Sequence, residues 1–323
     1  MTKAIRILLH NAKTHHLEAW LRAAQPHVDV VTCNTHEGVA AVIENQKPDV
    51  AYSIRYTGTS DYPRDAFLAP GGPKWIAVGG SGTDHFGSWD TEAVTLTNAA
   101  GVAADMMAEY IFGGFLHFSL DIPGLQRDQS AKTWDVGRLV RPLHGKTLLI
   151  VGLGQTGQAV ARRAKAFGMR VLGTRARPAA TECVDEVHAA DRIAQLMPRA
   201  DFVAVATPLL PSTRGLIGKT AISVMKKGAV LADVSRGGVV DHTALRDALI
   251  SGQLGGAALD VFEQEPLPPE SPLWNTPNVL ISPHCSSVHA EWERASFDLF
   301  LKNLDRYLND QPLFNVVDPG RGY

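Results

Sequence analysis

Glycines in Val151-Gly152-Leu153-Gly154-Gln155-Thr156-Gly157 are spaced as a pyrophosphate-binding turn requires. The apolar run Leu148–Val151 leads into the turn, and Ala159, Val160, Ala164 and Phe167 follow at helical spacing. In such a strand-turn-helix Gly152 permits the tight turn, Gly154 lets backbone approach the phosphates, and Gly157 lets helix pack closely on strand. Around Leu153, Gln155 and Thr156 the helix start offers free N–H groups and the positive end of its dipole to an anion. About 20 residues beyond the glycines, where an acid would take the ribose hydroxyls of NAD, stands Thr174-Arg175-Ala176-Arg177. A hydroxyl and two guanidinium groups suit a 2′-phosphate, so Thr174, Arg175 and Arg177 predict NADP(H), with NAD(H) as the alternative. Three later segments group the remaining reactive side chains: Val234-Ser235-Arg236-Gly237-Gly238, Asp260-Val261-Phe262-Glu263-Gln264-Glu265, and Ile281-Ser282-Pro283-His284.

These segments need elements to position them. Short β-rich runs at Ile5–Leu9, Val28–Thr32, Val50–Ser53, Ile76–Val78 and Val94–Thr97 alternate with helical stretches such as Leu17–Ala24 and Val39–Glu44. Alternation of this kind predicts a parallel sheet with right-handed crossovers over residues 1–98. Ala103–Leu120 reads as a helix apolar all round, buried between domains or at a subunit contact. Asp121–Gly145 reads as polar and irregular, punctuated by Pro123, Gly124, Gly137, Pro142 and Gly145, with Trp134 a buried aromatic anchor. Strands then resume at Arg170–Thr174, Phe202–Ala206, Val230–Val234, Ala257–Leu259 and Val279–Ile281, with helices at Ala221–Met225 and Thr243–Ile250. Proline-rich Glu265–Pro272 lies between two of these strands and suits an active-site loop. An amphipathic helix at about Ala290–Leu308 presents Phe297, Phe300, Leu301 and Leu304 and is expected to return to the first domain. The resulting domains are 1–98 plus 290–323, and 99–289.

Bulk properties exclude several classes of function. Among 323 residues, 31 Lys and Arg balance 33 Asp and Glu, with no basic stripe for a phosphate backbone, so no nucleic acid partner is expected. No apolar run approaches the ~18 residues of a membrane span. Ile7-Leu8-Leu9 stops at His10 and Asn11, too short for a signal h-region. Cys33, Cys183 and Cys285 are too few and too scattered for a disulfide framework or a clustered metal site, which points to a reduced, cytoplasmic setting. His15, His16 and His188 read as solvated, and no metal is expected.

Taken together, the glycine turn, the Ser-Arg-Gly-Gly segment, the Ala-Leu-Asp-Val-Phe run ending at Phe262 and the Ser-Pro-His segment resemble the D-isomer-specific 2-hydroxyacid dehydrogenases over nearly the whole length. The resemblance implies an α/β protein of two Rossmann/flavodoxin-like, doubly wound parallel-sheet domains, the first for substrate and the second for the dinucleotide, with an interdomain active-site cleft. It implies that Arg236 pairs with a substrate carboxylate, that His284 is the general acid toward the carbonyl oxygen, and that Glu265 fixes the imidazole tautomer and favours its protonated form. Asp260 matches the residue that holds the nicotinamide carboxamide. Thr207 and Pro208 match a turn lining the cofactor, as do Val234 and Ser235. Relatives present two loops to the substrate, here with Ile54 and Arg55 and with Ser81 and Gly82. N–H groups of the latter pair suit a carboxylate. Formate dehydrogenases of this fold carry glutamine where Glu265 stands, so a 2-oxoacid reductase is expected, with glyoxylate or hydroxypyruvate as first substrates and a homodimer as the assembly. In relatives the loop where Trp134 stands often supports dimer contacts, the alternative to its simpler reading as a buried anchor. Ala103 and Cys285-Ser286-Ser287-Val288 depart from the family pattern and leave substrate identity open. Two other readings stand beside this one: an NAD(H) enzyme for a larger D-2-hydroxyacid, and a nucleotide-sensing protein like the corepressors that share the fold. Turnover of 2-oxoacids separates enzyme from sensor.

Overall fold

The computed structural model describes residues 5–54 and 62–320. The chain divides into two compact units, Met1–Val102 with His289–Tyr323, and Ala103–Val288.

The first unit is built on β1 (Arg6–His10), β2 (Asp29–Cys33), β3 (Val50–Ser53), β4 (Trp75–Val78) and β5 (Thr95–Thr97). All pair in parallel in the order β2-β1-β3-β4-β5, the flavodoxin-like order. Helices α1 (His15–Ala24), α2 (Val39–Gln46) and α3 (Arg64–Phe67) fall between the strands. Because side chains alternate across a strand, Ile7, Leu9, Tyr52 and Trp75 enter one core while Leu8, Ala51, Ile76 and Val78 enter another. The first of these cores is completed by Phe297, Phe300 and Leu304 of the helix Trp292–Leu308, so this helix packs in the unit that opens the chain.

In the second unit α4 (Ala104–Ser119) and α5 (Ile122–Ala131) precede the sheet. The sheet comprises β6 (Thr147–Val151), β7 (Arg170–Thr174), β8 (Glu186–His188), β9 (Phe202–Val205), β10 (Ala229–Asp233), β11 (Leu254–Leu259) and β12 (Val279–Ile281). Its order is β12-β11-β10-β9-β6-β7-β8, again parallel, with helices α6 (Gln155–Ala166), α7 (Ile193–Leu196), α8 (Lys219–Ser223) and α9 (His242–Ile250) in the connections. Both sheet faces are covered, which is why strands such as TLLIV and AVLAD are almost wholly apolar. One face packs Ala108, Ile111, Phe112 and Phe115 of α4 with Ala159, Val160 and Ala164 of α6, and the other packs Leu245 and Leu249 of α9.

Three expectations for this region are corrected. Helix α4 is one-sided rather than buried all round: Ala108, Ile111, Phe112 and Phe115 are buried, whereas Asp105, Glu109 and Gly113 are exposed. Its close approach to the sheet depends on Gly114, where an added Cβ would lie 2.6 Å from the Ala258 Cβ. The segment taken as irregular contains α5, because Asp121 caps it by accepting the Gly124 N–H and Pro123 sits in the first turn, where it costs no helical hydrogen bond. Trp134 is 91% exposed and anchors nothing within the unit. Strand β8, absent from the expected set, pairs along β7.

Candidate active site

One row of paired residues organises the second unit. Thr174, Val151, Val205, Asp233, Leu259 and Ile281 are successive register partners across β7, β6, β9, β10, β11 and β12. Because these strands are parallel, every segment with chemistry leaves the same C-terminal edge within a few residues of this row. Ligands of open α/β sheets bind beyond that edge, at the point where the strand order reverses, here between β6 and β9.

At that point the glycine turn fits a dinucleotide. Gly152 has φ 102°, and a Cβ there would lie 2.5 Å from the Ala206 carbonyl oxygen, so no other residue is accommodated beside Thr207. A Cβ on Gly157 would lie 2.0 Å from the Gly152 oxygen, which is how helix and turn come together. Gly154 faces open space and caps α6 without a side chain, leaving the N–H groups of the first turn for phosphate. Leu153 is buried, and its N–H, like that of Gly152, donates to the Thr174 carbonyl. Thr174 is itself buried, so its observed task is to anchor this turn. Arg175 and Arg177 follow at the surface, and their guanidinium groups make no hydrogen bond or ion pair among the described residues. The Thr207-Pro208 turn is closed by the Thr213 hydroxyl, which donates to the Pro208 carbonyl at 2.6 Å.

Beyond β10, the Asp233 Oδ1 accepts the Ser235 N–H at 2.9 Å and the Ser235 hydroxyl at 2.5 Å, and Val234 and Ser235 are buried. Burial pushes the Asp233 carboxyl up to about 7 despite those two hydrogen bonds, and the neighbouring Asp260 charge adds to the rise. Arg236 emerges from this turn with Nη1 donating to the Ser235 carbonyl at 2.8 Å. Gly237 permits the next step. A Cβ there would lie 2.0 Å from the Phe262 oxygen, so only glycine lets the Arg236 turn lie against the segment that leads from β11 to Glu265.

Leu259 pairs with Ile281, so Asp260 and Ser282 leave adjacent strands side by side, and Glu265 and His284 follow them. His284 Nδ1 lies 2.8 Å from Glu265 Oε2, while Oε1 accepts the Phe262 N–H at 2.9 Å. Partial burial of Glu265 opposes its ionisation, but the hydrogen bonds from His284 and Phe262, with the charges of His284 and Arg236, outweigh it and hold the carboxyl below its usual range. The imidazole is oriented by Nδ1 on the Glu265 carboxylate, with Nε2 on the opposite side of the ring. The Asp260 carboxylate, fully buried, accepts the Ser282 hydroxyl and the Cys285 N–H on Oδ1 and the Ser286 N–H on Oδ2.

In the first unit, Ile54 leaves β3 and covers Gly79, where a Cβ would meet its side chain at 2.6 Å. The Gly79–Gly82 loop is tied by the Asn98 amide donating to the Ser81 carbonyl at 2.8 Å and the Ser296 hydroxyl donating to the Gly79 carbonyl at 2.7 Å. The N–H groups of Ser81 and Gly82 donate to no acceptor among the described residues. Arg55 lies outside the described residues. Two histidines read as solvated are paired with carboxylates instead: His16 with Glu293 at 2.8 Å and His188 with Glu186 at 3.0 Å.

Sequence reasoning missed Asp233, Ser282 and Tyr110, whose hydroxyl lies 2.7 Å from the Ser282 Oγ. A signal existed for two of them: an acid ends the apolar strand AVLAD, and a tyrosine stands in the apolar helix α4, where its hydroxyl needs a partner.

The D-isomer specific 2-hydroxyacid dehydrogenase, NAD binding domain profile matches residues 112–286, more than half of the chain. The chain belongs to the D-isomer specific 2-hydroxyacid dehydrogenase family. Members of this family are oxidoreductases that use a nicotinamide nucleotide, and the domain of that function is the one bearing the glycine turn. Among relatives, a D-3-phosphoglycerate dehydrogenase of Methanocaldococcus jannaschii is 37% identical over 76% of this chain, although the match spans only 47% of its own length. A glyoxylate reductase of Korarchaeum cryptofilum is 36% identical over 70% of this chain and 69% of its own. An NADPH-dependent glyoxylate/hydroxypyruvate reductase from Sinorhizobium meliloti, solved with NADP and sulfate, superposes with a TM-score of 0.81 at 27% identity, over 99% of this chain and 100% of that one. The Sinorhizobium structure thus shares the fold described above. Among the described residues no helix is long and apolar enough to cross a membrane, and no group of three or more His, Cys, Asp or Glu side chains could hold a metal ion.

Proposed function

We propose that this dehydrogenase reduces a small 2-oxoacid, glyoxylate or hydroxypyruvate first, to the D-2-hydroxyacid, with NADPH as the preferred partner. The observation that carries this reading is the Glu265–His284 pair at 2.8 Å with the Arg236 charge beside it, on the sheet edge that also bears the dinucleotide turn. A bound nicotinamide supplies the hydride. Arg236, a planar donor that stays charged, holds the substrate carboxylate. His284 gives its Nε2 proton to the carbonyl oxygen as that oxygen gains charge, and Glu265 stabilises the imidazolium through Nδ1. Gly152, Leu153, Gly154, Gln155, Thr156 and Gly157 hold the pyrophosphate, and Thr207, Pro208, Val234 and Ser235 line the nucleotide site. The Ser81 and Gly82 N–H groups suit the anionic end of the substrate. We place substrate recognition in residues 1–98 with 290–323 and nucleotide binding in 99–289.

Unpaired Arg175 and Arg177, with no acid at the end of β7, support NADPH over NADH, as does the NADPH dependence of the Sinorhizobium relative. With glyoxylate, kcat/KM for NADPH is expected to exceed that for NADH by at least ~10-fold, and Arg175→Ala is expected to remove most of the difference. Steady-state rates with both nucleotides across a panel of 2-oxoacids test this. A clear NADH preference would overturn the cofactor assignment, and tight nucleotide binding without turnover of any 2-oxoacid would favour the nucleotide-sensing alternative.

The protein is also proposed to be a cytoplasmic homodimer. Trp134, Val136 and Leu139 are each about 90% exposed on a loop that Arg138 pins to Asp121 and Asp128, so an apolar surface is held ready for a partner. Light scattering should give about twice the 34.8 kDa chain mass, and Trp134→Asp should shift micromolar protein toward that single mass. A single-chain mass for the native protein would reject the dimer. Cys33, Cys183 and Cys285, all free thiols, suit the reducing compartment.

A further inference from the structure

We infer that Asp260, Ser282 and Tyr110 form a positioning relay that holds His284 in its reactive orientation. The inference rests on the assignment of His284 as the proton donor. His284 has φ 52°, in the left-handed region that a residue with a Cβ enters at a cost, so neighbouring contacts must hold it there. The Asp260 carboxylate provides those contacts on both sides. Before His284 it accepts the Ser282 hydroxyl at 2.5 Å, and after it the N–H groups of Cys285 at 2.8 Å and Ser286 at 2.9 Å. Glu265 holds the imidazole ring, and Asp260 holds the backbone that aims it.

The chain of donors extends one residue further. The Ser282 hydroxyl has one proton, committed to Asp260, so the Tyr110 hydroxyl at 2.7 Å donates to the Ser282 Oγ. Burial pushes the Tyr110 hydroxyl up to about 12, which keeps it a donor at neutral pH. Tyr110 lies on α4, between Met107 and Ile111 in a helix that packs on β10 and β11, so the relay ties the His284 segment to the core of the unit. The Tyr110 and Ser282 hydroxyls reach His284 through Asp260, while the Ser282 carbonyl, which accepts the His284 N–H at 3.1 Å, is kept by any side-chain substitution. Loss of either hydroxyl should disturb the aim of the imidazole, leaving nucleotide affinity intact.

Ser282→Ala, Tyr110→Phe and the double variant test the relay. Each is measured for kcat, KM, NADPH Kd by direct titration and thermal midpoint, with the His284 ring followed by long-range ¹H–¹⁵N correlation and assigned against His284→Asn. Ser282→Ala is expected to lower kcat about tenfold, as a small misplacement of a reacting group does, with NADPH Kd unchanged within about twofold. Its His284 ring signals should lose the single Nδ1–H tautomer and broaden. Tyr110→Phe should lower kcat by about threefold, and the double variant should be no slower than Ser282→Ala by more than about twofold, because Tyr110 works through Ser282. Losses that multiply would overturn the relay. So would an effect confined to NADPH Kd, which would make Asp260 a nucleotide-binding group alone. If the native protein turned over no 2-oxoacid, the proposed activity would fail, but the ring spectrum would still decide the relay: an unchanged His284 tautomer in Ser282→Ala overturns it.

Discussion

His284→Ala is expected to lower kcat for 2-oxoacid reduction by at least ~10²-fold, about 2.7 kcal/mol of transition-state stabilisation, while NADPH Kd stays within a few-fold of native. The side chain is 37% exposed and makes its one described ionic contact with Glu265, so its removal leaves no buried charge and no cavity in a core. A fall in kcat therefore reports loss of the proton donor and not of the fold. The 2.8 Å Nδ1 contact to a carboxylate held below its usual range is what keeps Nε2 the proton-exchanging atom. Steady-state kinetics with a thermal-unfolding control measures the effect. Retention of more than a tenth of native kcat would take His284 out of the mechanism.

Arg236→Lys is expected to lower kcat/KM for the 2-oxoacid by ~10²-fold, most of it in KM, with nucleotide affinity unchanged. Lysine keeps the charge but cannot meet a carboxylate with two parallel N–H groups, and it cannot donate from a planar fork to the Ser235 carbonyl while reaching substrate. A loss in both kcat and KM would place Arg236 on the carbonyl as well as the carboxylate, because an interaction made only in the transition state appears in kcat. An unchanged KM would remove it from substrate binding.

Much of this was legible before any coordinate. Local turn chemistry requires glycine at particular steps, so the 152, 154 and 157 spacing already announced a dinucleotide turn, whereas the close approach of Gly237 to the Phe262 carbonyl came only with the structure. Strands buried on both faces are nearly continuous apolar runs, so Val50–Ser53 and Arg170–Thr174 were placed to the residue, and the short apolar run Val279–Ile281 marked the half-buried edge strand equally well. Helix α5 was hidden because Pro123 and Gly124 break helices in general, yet neither does so in a first turn capped by Asp121. Trp134 was misplaced because residue type carries only an average burial, and nothing local records that no neighbour covers it.

By itself, then, the sequence determined two parallel α/β sheets and a glycine-spaced turn of the nucleotide-binding kind, and it singled out Arg236, Glu265 and His284 as the proposed reactive set. Spacing could not say which of their atoms meet, because 19 residues separate Glu265 from His284 and 172 separate Tyr110 from Ser282. Only the tertiary structure decided that. Pairing Leu259 with Ile281 sets Asp260 beside Ser282, and the turns that follow bring carboxylate to imidazole. Strand register, a property of the packed sheet, converts residue types into a site.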